Sequence, residues 1–156
     1  MKKYEQYLEK NKSLIEQSLE IDNKKWEENF NIEQLFKIEN NGDYILEKNK
    51  AYLVIYEGQP EITNKLLENA IPINSSIVFT IKDYYLATNK VLISIANKCI
   101  QENKKQVLYK LYNNIDDEKI YEATQNPDET IYIGNEEEFN YIKGNIQGKV
   151  RFIEYN

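Results

Sequence analysis

The feature that most constrains the fold is a regular alternation of short apolar segments and helical patterns between residues 51 and 155. Strands are predicted at 51–56, 76–81, 106–111, 130–133 and 150–155. Helices are predicted between them at 61–71, 84–103, 116–125 and 136–143. Because strand–helix–strand units with short connections form right-handed crossovers, this order predicts an α/β fold. We expect a mostly parallel, doubly wound sheet with helices on both faces.

The residues before this alternation predict a helical N-terminal segment. Residues 2–22 and 24–38 carry apolar side chains at helical spacing, in the first case Tyr4, Leu8, Ile15 and Leu19, and in the second Trp26, Phe30, Leu35 and Phe36. Asp43–Leu46 is predicted as a short strand that could form a hairpin with 51–56. No linker interrupts the chain, so we expect a single domain over 1–156, with a helical segment at 1–40 and an α/β sheet core at 41–156.

Charge and hydropathy exclude several partners. The chain has 26 acidic and 20 basic residues and a net charge of −6, which disfavours binding to nucleic acid or to an anionic membrane. No apolar run approaches the ~20 residues that span a bilayer, and the charged N-terminus lacks the apolar core of a signal peptide. A single cysteine fits a reducing compartment. We therefore expect a cytoplasmic protein.

The absence of histidine is the strongest chemical exclusion. It removes the Ser-His-Asp and Cys-His arrangements and the usual nitrogen ligand of zinc, and one cysteine cannot form a thiolate metal site. Cys99 lies within a helical pattern, where a thiol is usually a buried small hydrophobe. We expect slow labelling of the native thiol, and we predict no catalytic residue and no metal site.

Several short motifs follow the predicted strands. Tyr56-Glu57, Gln59-Pro60 and Ile62-Thr63 join the strand at 51–56 to the next helix. Further motifs follow in the order Asn74-Ser75-Ser76-Ile77-Val78-Phe79, Ala87-Thr88-Asn89-Lys90 and Ile131-Tyr132-Ile133-Gly134. From Ala51 to Tyr155 the chain resembles the nucleotide-binding half-domain of the aldehyde dehydrogenase superfamily, with glutamyl phosphate reductase as the nearest branch. The resemblance implies a Rossmann-like fold and a dinucleotide pocket after the strands.

The departures from this family bear on function. The family's catalytic cysteine lies in a second domain that this chain is too short to contain. Thr80 stands where a basic residue is expected, with Lys82 two residues later, and three glutamates, Glu136–Glu138, follow Gly134-Asn135. Carboxylates in a first helical turn repel a diphosphate, although they are also ordinary stabilisers of a helix N-terminus. We therefore predict a vestigial pocket and no bound cofactor, with its remaining members at Gly58, Thr80, Lys82, Gly134 and Asn135.

The sequence favours a non-catalytic protein-interaction domain related to the aldehyde dehydrogenase nucleotide-binding domain. One alternative is an acidic inhibitor or immunity-type protein that binds a basic partner. Another is a nucleotide-binding subunit of an aldehyde or acyl reductase that a second chain completes. We expect a protein partner or a homodimer, formed through the helical N-terminal segment or through an exposed strand, either Asp43–Leu46 or Val150–Tyr155.

Overall fold

In the part of the chain that the structure describes, the sheet has five strands and is parallel throughout. The computed structural model describes residues 3–37, 44–113 and 127–155. The strands are β1 (Ala51–Ile55), β2 (Ser76–Ile81), β3 (Tyr109–Asn113), β4 (Glu129–Gly134) and β5 (Val150–Glu154). Their spatial order is β3-β2-β1-β4-β5, and each neighbouring pair is parallel. The predicted α/β doubly wound class is confirmed.

Six helices accompany these strands within the described ranges. They are α1 (Tyr4–Lys10), α2 (Lys12–Trp26), α3 (Ile32–Phe36), α4 (Pro60–Ala70), α5 (Leu86–Glu102) and α6 (Glu136–Ile142). Short 3₁₀ turns follow α4 at Ile71–Ile73 and α6 at Lys143–Asn145. Alternate strand residues separate the sheet into two faces. Val54, Phe79 and Ile131 belong to the large core beneath α1–α5, while Leu53 and Tyr132 pack with Phe139 of α6. Helices therefore cover both faces, as predicted.

The N-terminal helices differ from the prediction in their boundaries. The single helix expected at 2–22 is divided at Asn11, whose Nδ2 donates to the Tyr7 carbonyl at 2.7 Å. α2 then continues to Trp26 and ends at Glu27, which has a left-handed φ of 54°. Asn23 also holds Phe30 through its side chain, accepting from the Phe30 N–H at 3.0 Å and donating to its carbonyl at 2.8 Å. The predicted helix at 24–38 is thereby shortened to α3.

A strand was predicted at Asp43–Leu46, and this prediction is wrong for residues 44–46, which do not form a strand. Asp43 lies outside the described residues. β1 already pairs with β2 on one side and β4 on the other, so no position remains for a hairpin partner. Side chains satisfy the carbonyls of this segment instead. Asn69 Nδ2 donates to Tyr44 O and Arg151 Nη1 donates to Ile45 O, both at 2.9 Å. The predicted helix at 116–125 also lies outside the described ranges.

The strand order creates a switch point beside β1. The connection through α4 leads from β1 to β2, and the chain later crosses β1 to place β4 on its other side. In open α/β sheets, ligands bind outside the carboxyl ends of the strands at such a point. We name the loops after the strands, at 56–59, 82–85 and 134–138, the carboxyl end of the sheet. The residues before the strands, at 47–50, 74–75, 104–108, 127–128 and 147–149, form its amino end.

Candidate functional site at the carboxyl end of the sheet

The fold brings four of the five predicted pocket residues to the carboxyl end. Gly58 follows β1, Lys82 follows β2, and Gly134 and Asn135 end and follow β4. Thr80 differs, because it lies inside β2 opposite Ile55 and Tyr112 and its side chain is buried. A longer basic side chain at that position would begin within the sheet. Three loops therefore surround the position where the pocket was expected. Lys82 is the predicted pocket residue that carries a positive charge.

Gly58 serves close packing between two loops. Its φ is +127°, and a Cβ built on it would lie 2.3 Å from the carbonyl oxygen of Tyr84. The Asn89 side chain donates to the Gly58 carbonyl at 2.7 Å. A glycine near a nucleotide permits a close approach of phosphate to the backbone. Here the backbone of the 82–85 loop occupies the space beside Gly58.

Three residues that carry the family resemblance form one buried hydrogen-bond network. Thr63 Oγ1 is 2.5 Å from Asn89 Oδ1 and also contacts the Tyr56 hydroxyl. Asn89 Nδ2 lies within hydrogen-bond distance of the Tyr84 and Tyr85 carbonyls, at 3.1 and 3.0 Å, in addition to that of Gly58. Burial raises the pKa of Tyr56, so its hydroxyl stays protonated. These motif residues join β1, α4 and α5 rather than facing solvent.

The N-terminus of α5 is capped by a carboxylate from α2. Asp22 is only 3% exposed and accepts from the Thr88 N–H at 2.7 Å, the Thr88 hydroxyl at 2.6 Å and the Ala87 N–H at 3.3 Å. Free N–H groups and the helix dipole make such a terminus attractive to an anion. The chain supplies this anion itself. Asp22 was missed at the sequence level, although it lies one helical turn beyond Leu19 on the apolar side of α2.

The end of α2 and the loop after it also hold the loop between β2 and α5. Lys25 Nζ is 2.7 Å from Asp83 Oδ2, and this hydrogen bond holds the pKa of Asp83 below its usual range. The Tyr84 hydroxyl donates to Glu28 Oε2 at 2.5 Å. The rings of Trp26 and Tyr84 meet edge to face with centroids 5.1 Å apart. The N-terminal segment therefore covers the sheet beyond β2.

An ion-pair cluster lies at the switch point. Lys82 Nζ is 3.3 Å from Glu138 Oε2 and 3.7 Å from Glu57 Oε1. The Tyr132 hydroxyl donates to Glu138 Oε2 at 2.9 Å, and the Asn135 side chain caps α6 by accepting from the Glu138 N–H at 2.7 Å. The hydrogen bond from Tyr132 and the nearby Lys82 ammonium hold the pKa of Glu138 below its ordinary value. The only pocket lysine identified from the sequence is thus paired with carboxylates of the chain.

The two ends of the sheet differ in charge. Carboxylates on or near the carboxyl end are Glu28, Glu57, Glu61, Asp83, Glu136, Glu137, Glu138 and Glu154, against the cations Lys25 and Lys82. The amino end carries the cations Lys48, Lys50, Lys104, Lys105 and Lys149, against the carboxylates Glu47, Asp128 and Glu129. A phosphate group bound at the carboxyl end would be repelled by the excess of negative charge there.

Cys99 does not belong to this site. It lies in the last two turns of α5, is 1% exposed, and has a pKa raised by burial. The predicted helical, buried position is confirmed, and slow native labelling remains our expectation. Across 3–37, 44–113 and 127–155, no group of three or more His, Cys, Asp or Glu residues is arranged to hold a metal ion.

Comparison with known proteins adds no family to this description: neither the protein-family models nor the curated proteins gave a match to the chain. The resemblance to the aldehyde dehydrogenase superfamily therefore remains a prediction based on the motifs above. In the part of the chain that the structure describes, no helix has the length and apolar character needed to cross a membrane.

Proposed function

We propose that the chain is a non-catalytic protein-interaction domain, related to the nucleotide-binding domain of aldehyde dehydrogenases and acting in the cytoplasm. The observation that supports this most directly is that polar groups at the carboxyl end of the sheet are bonded within the chain. Each polar element that a dinucleotide would need there is used internally: the α5 N-terminus by Asp22, the Gly58 backbone by Tyr84 and Asn89, and Lys82 by Glu57 and Glu138.

The same observation disfavours the alternative of a nucleotide-binding subunit completed by another chain. A second chain could supply a catalytic cysteine, but the cofactor would still have to displace the Lys82 pairs and the Asp22 cap. Replacing these contacts costs free energy that the cofactor's own contacts would have to exceed. We therefore rank this alternative below the interaction domain.

The charge distribution favours the acidic inhibitor or immunity-type protein as a second candidate. Glu57 after β1 and Glu136 and Glu137 in the first turn of α6 are exposed beside the switch point. Such a surface steers the approach of a basic partner and disfavours acidic ones. The binding would weaken as salt increases, because exposed charges are screened.

Light scattering tests the proposal that the partner is a second copy. A mass near twice 18.6 kDa at micromolar concentration, falling on dilution, is expected for a reversible homodimer. A constant mass of 18.6 kDa contradicts the homodimer and directs the search to a different protein.

For that search, affinity capture uses the wild-type chain beside a variant with Glu57, Glu136 and Glu137 changed to Lys. A variant with Glu5, Glu9 and Glu16 changed to Lys is the matched control.

In the capture experiment, a stoichiometric basic protein retained by the wild type and the control, but lost from the carboxyl-end variant, supports the acidic candidate. Equal capture by all three chains contradicts it and leaves the interaction surface elsewhere. Dehydrogenase activity in a reconstituted complex would overturn the non-catalytic proposal itself.

A further inference from the structure

Among residues 3–37, 44–113 and 127–155, the outer side of β3 is a sheet edge at which some backbone groups have no hydrogen-bond partner. The Ile77 N–H donates to the Leu108 carbonyl at 3.1 Å, which fixes Leu108, Lys110 and Tyr112 as the residues whose backbone faces β2. The backbone groups of Tyr109, Leu111 and Asn113 therefore face outward. Asn97 of α5 donates to the Tyr109 carbonyl at 3.0 Å. Within the described ranges, no hydrogen-bond partner meets the N–H and C=O of Leu111.

A groove runs along this edge beneath the flank of α5. It has a volume of about 500 Å³ and is lined by Lys90, Ile93, Ser94, Asn97, Lys98, Gln101 and Leu111. Ile93 and Leu111 supply its apolar surface, and both lysines are exposed. Leu108 and Tyr112 are also exposed on the strand, at 49% and 41%. The groove thus combines an open strand edge, an apolar centre and two ammonium groups.

The spacing of the lysines sets the geometry of a matching segment. Lys90 and Lys98 are eight residues apart on α5, which separates them by ~12 Å along the helix axis. An extended segment covers nearly the same distance, ~13 Å, in four residues. Because side chains alternate across a strand, residues at i, i+2 and i+4 share one face. Carboxylates at i and i+4 would then meet the lysines, with an apolar side chain at i+2 between them.

We propose that the β3 edge binds an extended segment of a partner protein in which two carboxylate side chains, four residues apart, flank an apolar side chain. The segment adds a sixth strand beside β3, a recognition mode in which backbone hydrogen bonds give affinity and alternate side chains give specificity. This inference rests on the proposed interaction function, for which it names a surface and the chemistry of the partner.

A second copy of the chain fits this edge poorly. Two β3 edges joined about a two-fold axis would bring Lys90 and Lys98 of one copy toward the same residues of the other, and like charges so placed repel. The other edge strand, β5, carries an aromatic side chain that is already packed. Its Phe152 ring is already stacked on Phe139, with centroids 4.7 Å apart.

A peptide titration followed by NMR tests the proposal. The probe is a threonine-based peptide in which two glutamates four positions apart flank a central valine. One control peptide carries lysines in place of the glutamates, and another places the glutamates three positions apart, on opposite faces of the strand. A third is N-methylated at alternate residues, which removes strand pairing and keeps the side chains.

We expect shifts at the amides of Leu111 and Asn113 and along the Lys90–Lys98 flank with the first peptide, and at least ~10-fold weaker binding of each control. The Lys90→Glu, Lys98→Glu double variant should lose the probe and bind the lysine peptide. A Lys12→Glu, Lys24→Glu variant, altered at exposed positions of α2, should bind the probe like the wild type.

Absence of these shifts at millimolar probe, or equal binding of the glutamate and lysine peptides, overturns the proposal. Equal binding of the N-methylated peptide overturns strand addition. Failure of the proposed function has a different signature: addition of NADP would shift amides of residues 57–59, 82–85 and 134–138 and leave β3 unchanged.

Discussion

The carboxyl and amino ends of this sheet use their polar groups differently. At the carboxyl end, Asp22 and Asn89 are buried and bonded, and Lys82 is paired. The amino end instead has an open cleft of about 830 Å³, bordered by the exposed Lys50, Lys104 and Asp128. An α/β sheet of this order normally keeps its carboxyl end available for a ligand. In this chain the α5 N-terminus and the Gly58 carbonyl at that end are bonded to side chains of the chain itself, which is the physical basis of the proposal that no cofactor binds there.

The largest expected difference between the two ends concerns their glycines. Gly58→Ala should lower the free energy of unfolding by about 3 kcal/mol or more, because the added Cβ meets backbone at 2.3 Å and the φ is unsuited to an L residue. Gly148 at the amino end also has a positive φ, +83°, but nothing lies within 4 Å of its Cβ position. Gly148→Ala should cost only about 1 kcal/mol. Urea unfolding measures both.

Equal losses for the two glycine variants would show that backbone conformation, rather than packing against Tyr84, determines the cost. The carboxyl end would then be less tightly filled than the structure indicates. If Gly58→Ala is only partly folded, its proteolysis rate at low temperature replaces the equilibrium measurement. Gly58→Ser is not an informative substitute.

A smaller difference is expected between two aspartates that each accept backbone hydrogen bonds. Asp22→Ala should lower the free energy of unfolding by about 2–3 kcal/mol, since two N–H groups and a hydroxyl lose a buried charged acceptor. Asp128 is exposed, and among the residues that the structure describes its side chain accepts only from the Ala51 N–H, at 2.8 Å. Asp128→Ala should cost about 0.5–1 kcal/mol, as for an ordinary exposed cap. A larger loss of stability in Asp128→Ala than in Asp22→Ala would contradict this expectation.

A still smaller effect is expected from substitutions that change the pKa of Glu138. Lys82→Met and Tyr132→Phe should each raise it toward its ordinary value, with the larger change in Tyr132→Phe, because the hydrogen bond from Tyr132 is the main cause of the lowering. A depressed folded-state pKa contributes stability above the unfolded-state value, near 4.5, and this contribution disappears as the pH falls through the folded value. Both variants should therefore lose stability at neutral pH, but not at strongly acidic pH.

Carboxyl-carbon NMR titration of Glu138 measures this change. Lys149→Met is the matched control, because Lys149 pairs with Glu129 at the amino end over the same distance, 3.3 Å, as Lys82 with Glu138. The control should leave the Glu138 titration unchanged. An unchanged titration in Lys82→Met and Tyr132→Phe as well would mean that the cluster at the switch point does not form in solution.

The sequence predicted the order and type of most elements because their apolar periodicities are local. It could not show that β1 is paired on both sides, because the second pairing is with the distant β4. Asp43–Leu46 was therefore predicted as a strand that could form a hairpin with 51–56. The division of the first helix at Asn11 depends on one side-chain hydrogen bond to Tyr7, which leaves the apolar spacing unchanged.

At the site, the sequence correctly placed Gly58 and Lys82 after their strands, since the carboxyl ends of parallel strands meet, whereas Gly134, predicted in the turn after 130–133, is the last residue of β4. It did not reveal what those residues contact. The Asp22 cap comes from a helix more than sixty residues away in the chain, and only its place on the apolar side of α2 gave a signal. Thr80 was included in the pocket because it stands where the family resemblance places a basic residue, whereas the structure buries its side chain inside β2.

Calorimetric titration with NAD and NADP tests the central claim most directly, because it measures whether the carboxyl end still accepts a dinucleotide. The account predicts no binding heat up to millimolar cofactor, in the wild-type chain and in Lys149→Met alike. A dissociation constant below ~100 μM, corresponding to a free energy beyond roughly −5.5 kcal/mol, would contradict it. Loss of that binding in Lys82→Met would then place the cofactor at the switch point.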